Sequence, residues 1–269
     1  MNQIEVFQDT WNRIQNDPVL AELTEKAVAR TRVIDEGFYS GRPPRHEIMY
    51  FEVEENLTLI SAYRLADAGY RTAVLNFANP VEPGGGVLRG ANAQEEYLCR
   101  ASNLYSCLTS RQAEPYYQAH RELLKSNTDF GMFLSSDRLI YTPGVTFFKE
   151  DAGYEPGADR KYTQEYTERW RTLDVITCAA PLFFDTHSIL PTGELYPLLC
   201  RRIRNILEAA MEYGAEMLVL GAFGCGAFLN PPFIVFQFTS NSLFSNQLDT
   251  DWFPFFIIDC NKPELLVKS

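Results

Sequence analysis

Two glycine-bearing segments and one acidic pair are the places where this chain could do chemistry. Gly84, Gly85 and Gly86 stand in a row, and after seven further residues come Gln94, Glu95 and Glu96. Three consecutive glycines remove every Cβ, so the backbone can pass close to a ligand and take positive φ. Such a triplet alone is also what a flexible turn looks like. The acidic pair adds a group that can give or take a proton beside that close approach. Neighbouring residues on a helix point in different directions, so Glu95 and Glu96 are not expected to face one another across a substrate. They would divide the labour, one binding hydroxyl groups and the other handling the proton. Acidic residues in a first turn also serve the plainer purpose of complementing the helix dipole.

The second segment, Gly221-Ala-Phe-Gly-Cys-Gly-Ala-Phe228, follows an apolar run and precedes Asn230, Pro231 and Pro232, which read as the start of a helix. It does not end in Gly-Lys-Ser/Thr, nor does it match the dinucleotide-binding fingerprint. Two glycine loops at the carboxyl ends of two strands would put N–H donors on both sides of a phosphate group.

The elements that must position these loops follow from periodicity. Residues 1 to about 30 read as helical, with Trp11, Ile14, Val19, Leu20, Leu23 and Val28 near helical spacing. After the loop GFYSGRPPR, EIMYFEVE reads as a strand, LTLISAYRLADAG as a helix closed by Gly69, and RTAVLNFAN as a second strand. That βαβ pattern predicts a parallel sheet with helices on its faces, and the first glycine loop then lies where open α/β sheets bind ligands. QEEYLCRASNLYSCL reads as one helix. RLIYTPGVTFF reads as a strand or strand pair, and EDAGYEPGADRKYTQEYTERW as a surface excursion or short helix. A strand in LDVITCAAP, a helix over ELYPLLCRRIRNILEAAMEYG, a strand in EMLVLGAF, a helical segment after the second loop and a last strand in PFFIIDC complete the chain. The expected division is residues 1–44 as an N-terminal helical accessory region and 45–269 as a catalytic domain.

Composition narrows the function classes. With 269 residues, 46% of them hydrophobic, one large α/β domain with a substantial core is expected. The formal net charge of -11 argues against general nucleic-acid binding, which needs a broad basic surface, but a single diphosphate can be held by backbone N–H groups alone. The six cysteines form no CxxC pair, and the three histidines, His46, His120 and His187, lie far apart, so reduced thiols and no metal are expected. No apolar run of about eighteen residues and no signal-peptide pattern is present, so a cytoplasmic protein without a membrane span is expected.

The segment PGGGVLRGANAQEE, preceded by LNFANP and followed by LVLGAFGCGAFLNPP, closely resembles the microbial-type poly(ADP-ribose) glycohydrolases, whose signature is a glycine triplet followed by QEE at this spacing. The resemblance runs from about residue 45 to 260. It implies a macrodomain-like fold: a mixed, mostly parallel sheet flanked by helices on both faces, with an N-terminal helical accessory layer. It also implies hydrolysis of the O-glycosidic ribose bond of ADP-ribose units, with Glu96 as catalytic acid and Glu95 orienting the ribose hydroxyls. Gly84, Gly85 and Gly86 would approach the distal ribose and diphosphate, with Gln94 and Asn79 in the substrate-binding set. Gly224, Cys225, Gly226, Ala227 and Phe228 would bind the diphosphate through backbone N–H groups, with Phe228 packing on the terminal ribose. Phe223 departs from the tryptophan of many relatives. No cofactor is implied, the partners are ADP-ribosylated proteins or poly(ADP-ribose), and a monomer is expected.

Three other readings share parts of this pattern. A non-hydrolytic ADP-ribose-binding macrodomain would keep both loops but has no need of the QEE helix start. A hydrolase of mono-ADP-ribosylated substrates differs only in how open the cleft is at the ribose end. A structural protein would leave the paired loops without purpose.

Overall fold

The computed structural model describes residues 2–37, 51–54, 56–125, 136–151, 164–182, 192–231 and 256–259. Two helices open the chain, α1 (Gln3–Asn16) and α2 (Pro18–Arg30). Asp17 separates them: its carboxylate accepts the N–H groups of Val19 (3.1 Å) and Leu20 (3.2 Å), while Pro18 supplies the preset φ of a first helical position. The strands are β1 (Arg32–Ile34), β2 (Phe51–Glu54), β3 (Thr72–Phe77), β4 (Leu139–Asp151), β5 (Gln164–Cys178), β6 (Met217–Gly221) and β7 (Phe256–Asp259). Between them run α3 (Thr58–Asp67), a 3₁₀ turn (Val87–Arg89), α4 (Gln94–Ala101), α5 (Leu104–Leu108), α6 (Glu114–Lys125) and α7 (Thr192–Glu212).

All seven strands form one sheet in the order β1-β4-β5-β3-β6-β7-β2. The run β5, β3, β6, β7, β2 is parallel, and β4 and β1 are added antiparallel beyond β5, so the sheet is mixed and mostly parallel. The β2-α3-β3 unit read from the sequence is parallel, with β6 and β7 lying between its two strands. Because β3 is apolar on both sides, its Val74 packs with Leu59, Leu65, Leu98 and Leu104 on one face of the sheet. Its Ala73 and Leu75 pack with Leu195, Leu199, Ile203 and Ile206 of α7 on the other. Each such buried aliphatic side chain stabilises the fold by roughly 1.5–3 kcal/mol. Helices thus cover both faces, as a two-sided parallel sheet requires.

Several expectations need correction. The surface excursion expected over 150–170 is strand from Gln164 onward: β5 begins nine residues before Leu173 and pairs with β4 through Lys149↔Tyr166 and Glu150↔Glu165. Residues 152–163 lie outside the described residues, as does the helical segment expected after the second loop. RLIYTPGVTFF is one strand with a register shift between Thr142 and Val145, where Pro143 and Gly144 (φ +75°) sit. Asp174 closes that bulge by accepting the N–H of Gly144 (2.9 Å), the Tyr141 hydroxyl (2.6 Å) and the Arg71 guanidinium (2.8 Å).

The helix expected over 94–108 is two helices. At the break, Asn103 exchanges backbone and side-chain hydrogen bonds with Thr146 of β4 and donates its Nδ2–H to Thr24 Oγ1 of α2 (3.0 Å), so tertiary partners outcompete the helix ladder. Neither β1 nor α6 was legible in the sequence. The five described cysteines, Cys99, Cys107, Cys178, Cys200 and Cys225, are free. Among the described residues no helix is long and apolar enough to cross a membrane, and no group of three or more His, Cys, Asp or Glu is placed to hold a metal ion.

Candidate active site

The site is built at the carboxyl end of β3. Gln94 fixes the geometry there: the Phe77 N–H donates to its Oε1 (2.9 Å) and its Nε2 donates to the Leu75 carbonyl (2.7 Å). The side-chain amide thereby continues the hydrogen-bond ladder of the strand and pins the first turn of α4 against β3. Asn79 has its Oδ1 committed to a turn, accepting from the N–H groups of Val81 and Glu82, both at 2.9 Å. Both residues sit in the site, with these polar atoms spent on shaping it.

Glu95 and Glu96 are both buried, 2% and 6% exposed. Glu95 turns toward the strand: its Oε2 accepts the Asn79 N–H (2.7 Å) and its Oε1 the Asn76 Nδ2–H (3.3 Å). Glu96 turns toward the glycine loop: its Oε1 accepts the Gly86 N–H (2.7 Å), and its Oε2 reaches back to the Ala93 N–H (3.0 Å), the return half of a capping box. The two carboxylates have separate partners, as adjacent helix positions should, yet one oxygen of each closes on the same point. A Cβ on Gly85, whose φ is +57°, would collide with Glu96 Oε1 and stand 3.0 Å from Glu95 Oε2. Glycine at position 85 is therefore required by the acidic pair itself. Gly84 (φ +69°) lies equally tight against the Tyr105 ring, 2.6 Å from where its Cβ would be.

Burial pushes the Glu95 carboxyl up to about 8; the Asn79 N–H and Asn76 amide oppose this in part, and the neighbouring Glu96 charge adds to it. The consequence for stability has a definite sign. Below its ordinary 4.5 Glu95 is protonated in both folded and unfolded chains and costs nothing. Between there and about 8 the unfolded chain loses the proton and the folded chain keeps it, so stability falls as pH rises, and the whole loss is present above 8. Glu95→Gln is expected to remove this dependence. Its unfolding free energy, measured by urea denaturation, should exceed the parent's by an amount that grows between pH 5 and 8, to a few kcal/mol by the usual ~1.36 kcal/mol per pH unit. A difference that stays flat across that range would mean that burial does not hold the proton.

Three braces hold the loop. Arg89 and Glu82 form a two-pronged ion pair across the glycine triplet. Arg100, fully buried on α4, donates to the Ala91 carbonyl (2.7 Å) and Asn92 Oδ1 (2.5 Å) on the descending limb, and to Gln164 Oε1 of β5 (3.3 Å). From the N-terminal layer, Ile4 lies against Gly90, and Thr10 Oγ1 donates to the Arg100 carbonyl (2.5 Å). Lys149, 1% exposed, pins α1 to β4 through Asp9 (2.9 Å) and the Val6 carbonyl (3.2 Å). The sequence reading had singled out none of Asn76, Arg89, Arg100 or Tyr105. A polar asparagine inside AVLNFA and an arginine inside an apolar helix stretch were the signals available.

The second loop leaves β6 beside the first, because β3 and β6 are adjacent and parallel; the Phe77 and Phe223 rings meet at 6.0 Å between them. Gly224 (φ +75°) packs so closely on Ala180 and Asn230 that a Cβ would lie 2.5 Å from the Ala180 Cβ. Asn230 turns its Nδ2 back to the carbonyls of Pro181 (2.8 Å) and Gly224 (3.2 Å), closing the loop on itself; the helix expected to start there lies outside the described residues. Leu229 takes φ +57° to allow it. Gly226 and Ala227 are exposed, while Cys225 and Phe228 are half-buried against the α7-side core. Among the described residues no protein acceptor takes the N–H of Gly226, Ala227 or Phe228. Three consecutive donors with no protein acceptor among the described residues suit an anion.

Comparisons with known proteins point to one family. The family described as microbial-type PARG, catalytic domain, matches residues 8–150, a little over half of the chain and beginning inside α1. A crystal structure of poly(ADP-ribose) glycohydrolase from Thermomonospora curvata is 31% identical, with a TM-score of 0.77 over 95% of this chain and 92% of that one. The same enzyme bound to the inhibitor ADP-HPD is 29% identical at TM-score 0.78, over 97% and 94%. Poly(ADP-ribose) glycohydrolase from Deinococcus radiodurans in complex with ADP-ribose is 31% identical at TM-score 0.74, over 90% and 92%. No curated protein matches the chain by sequence. With its mixed sheet, its glycine triplet closed on two buried glutamates and these matches over nearly its whole length, the chain belongs to the microbial-type poly(ADP-ribose) glycohydrolase family.

Proposed function

We propose that this chain hydrolyses the O-glycosidic ribose bond of ADP-ribose units in poly(ADP-ribose), releasing ADP-ribose, with Glu96 as the acid and base of the reaction. The observation that carries this reading is the closure of both carboxylates on Gly85, which sets two acidic groups side by side at the carboxyl end of β3. Glu96 is the member of the pair beside the open rim, next to the exposed Arg89 and Ala93, whereas Glu95 faces β3. Protonated Glu96 would give its proton to the leaving oxygen as the bond from that oxygen to the ribose anomeric carbon breaks and an oxocarbenium-like ribose forms. The resulting carboxylate would take a proton from the water that attacks that carbon, restoring the acid. Glu95 would accept ribose hydroxyls, and the N–H groups of Gly226, Ala227 and Phe228 would hold the diphosphate.

The test is release of free ADP-ribose from a poly(ADP-ribosyl)ated protein, run beside a mono-ADP-ribosylated protein under metal-free conditions. Release from the polymer is expected. Release from the single-unit substrate alone would move the assignment to mono-ADP-ribose hydrolysis, and ADP-ribose binding without release from either would make the chain a reader.

A further inference from the structure

Behind the acidic pair lies a buried polar side chain with one atom to spare. Asn76 stands near the carboxyl end of β3, fully buried, opposite Thr177 of β5. Its Nδ2 serves two acceptors, Glu95 Oε1 at 3.3 Å and Thr177 Oγ1 at 3.2 Å. Its Oδ1 is buried with no hydrogen-bond partner among the described residues. Because no hydrogen bond holds Oδ1 in place, turning the amide over breaks none at that end. A charged Glu95 carboxylate can only accept hydrogen bonds, and Nδ2 supplies one. A protonated Glu95 must place an O–H somewhere, and its Oε1 faces a donor as the amide stands. Rotating the amide by half a turn changes no heavy-atom packing, because its oxygen and nitrogen are of similar size. It puts Oδ1 where it can accept both from Glu95 Oε1–H and from the Thr177 hydroxyl.

We propose that Asn76 is the positioning residue for Glu95: its amide donates to the ionised carboxylate and turns over to accept from the protonated one. Glu95 Oε2, the oxygen nearest Gly85, then keeps its bond from the Asn79 N–H in both states. The proton moves between solvent and Glu95 Oε1, and Asn76 changes only its orientation. The consequence for the reaction rests on the reading that Glu95 contacts the ribose: substrate would meet the same oxygen whether or not Glu95 carries a proton. The other titratable groups around Glu95 are Glu96 and Cys99 on α4 and Tyr116 and Tyr117 on α6. Burial holds the thiol and both phenols well above their ordinary values, so they stay protonated where Glu95 titrates.

The experiment follows the Glu95 carboxyl carbon by NMR against pH, with the signal identified by its absence in Glu95→Gln. It compares the parent with Asn76→Asp, which offers only acceptors, and Asn76→Leu, which offers neither donor nor acceptor. Asn76→Asp should raise the midpoint by about one pH unit or more, and Asn76→Leu should move it by less than about half a unit, since support for both protonation states is lost together. An Asn76→Leu midpoint raised as far as that of Asn76→Asp would show a fixed donor and overturn the proposal, as would an unmoved Asn76→Asp. Should the variants fold poorly, the parent still decides. The nuclear Overhauser contact from the Asn76 amide hydrogens to Thr177 should weaken as pH falls through the Glu95 midpoint, and constancy across it rejects the turnover. No substrate is present in these measurements, so their failure and the failure of the glycohydrolase reading are separate results.

Discussion

Glu96→Gln is expected to lower the rate of ADP-ribose release from poly(ADP-ribosyl)ated protein on the order of a hundredfold or more, the usual scale for loss of a general acid. That corresponds to about 2.7 kcal/mol or more of lost transition-state stabilisation. The substitution keeps the volume and one acceptor, but it cannot be silent for the fold. In the parent both Glu96 oxygens accept backbone N–H groups, those of Gly86 and Ala93. A glutamine must turn its NH₂ toward one of them, at a cost of about 1–2 kcal/mol for the bond that becomes a donor–donor contact. The variant should therefore unfold at a slightly lower temperature while ADP-ribose still binds within about tenfold of the parent, since the diphosphate loop is untouched and binding does not need the acid. Turnover near that of the parent, with the polymer as substrate, would end the assignment of Glu96.

Glu95→Gln is the necessary companion, because burial keeps a proton on Glu95 to about pH 8 and so makes it a second candidate donor. Its Oε1 faces Asn76 of β3 and its Oε2 the Asn79 turn and Gly85, and the expected damage is to substrate affinity more than to the rate at saturation. A larger loss at saturation for Glu95→Gln than for Glu96→Gln would exchange the two roles.

How much of this was legible in the sequence depended on whether the information was local. The glycine triplet, the acidic pair and the second loop are defined by residue types that only a few backbone geometries demand, and Gly84, Gly85 and Gly224 do take positive φ. The parallel strands β3 and β6 were legible for the same reason: they are apolar on both faces. What escaped was set by partners distant in the chain. The first half of β5 reads Gln-Glu-Tyr-Thr-Glu-Arg-Trp, largely polar because β4 is its partner there and much of it stays exposed. Ser102 and Asn103 break a helix that its own residues would continue, because β4 and α2 bid for the same hydrogen-bonding groups. Gln94 belonged to the expected substrate-binding set by its place in the motif, yet its amide is held by Leu75 and Phe77, a role visible only once strand and helix are in contact.

Gly85→Ala should be nearly as damaging to turnover as loss of the acid, and for a reason separable from backbone strain. At φ +57° an alanine is strained by roughly 1–2 kcal/mol wherever it sits. At Gly85 its methyl group would also have to displace Glu96 Oε1 and crowd Glu95 Oε2 at 3.0 Å, and both oxygens are tethered by short bonds from backbone N–H groups of this same loop. Neither carboxylate can retreat without breaking a bond that fixes it, so the expected result is a rate loss on the order of a hundredfold, the scale that misplacing a catalytic group by about 1 Å produces. Gly90→Ala is the control. Its φ of +76° imposes comparable strain, but its Cβ would meet the Ile4 side chain at 3.1 Å and Gln3 Cβ at 3.8 Å, and neither carboxylate. Gly90→Ala should lower the melting temperature and leave turnover of the folded protein within about threefold of the parent. If the two variants lose stability and turnover in equal measure, Gly85 serves only its turn; if turnover collapses in Gly85→Ala alone, Gly85 is there because two glutamates need the space.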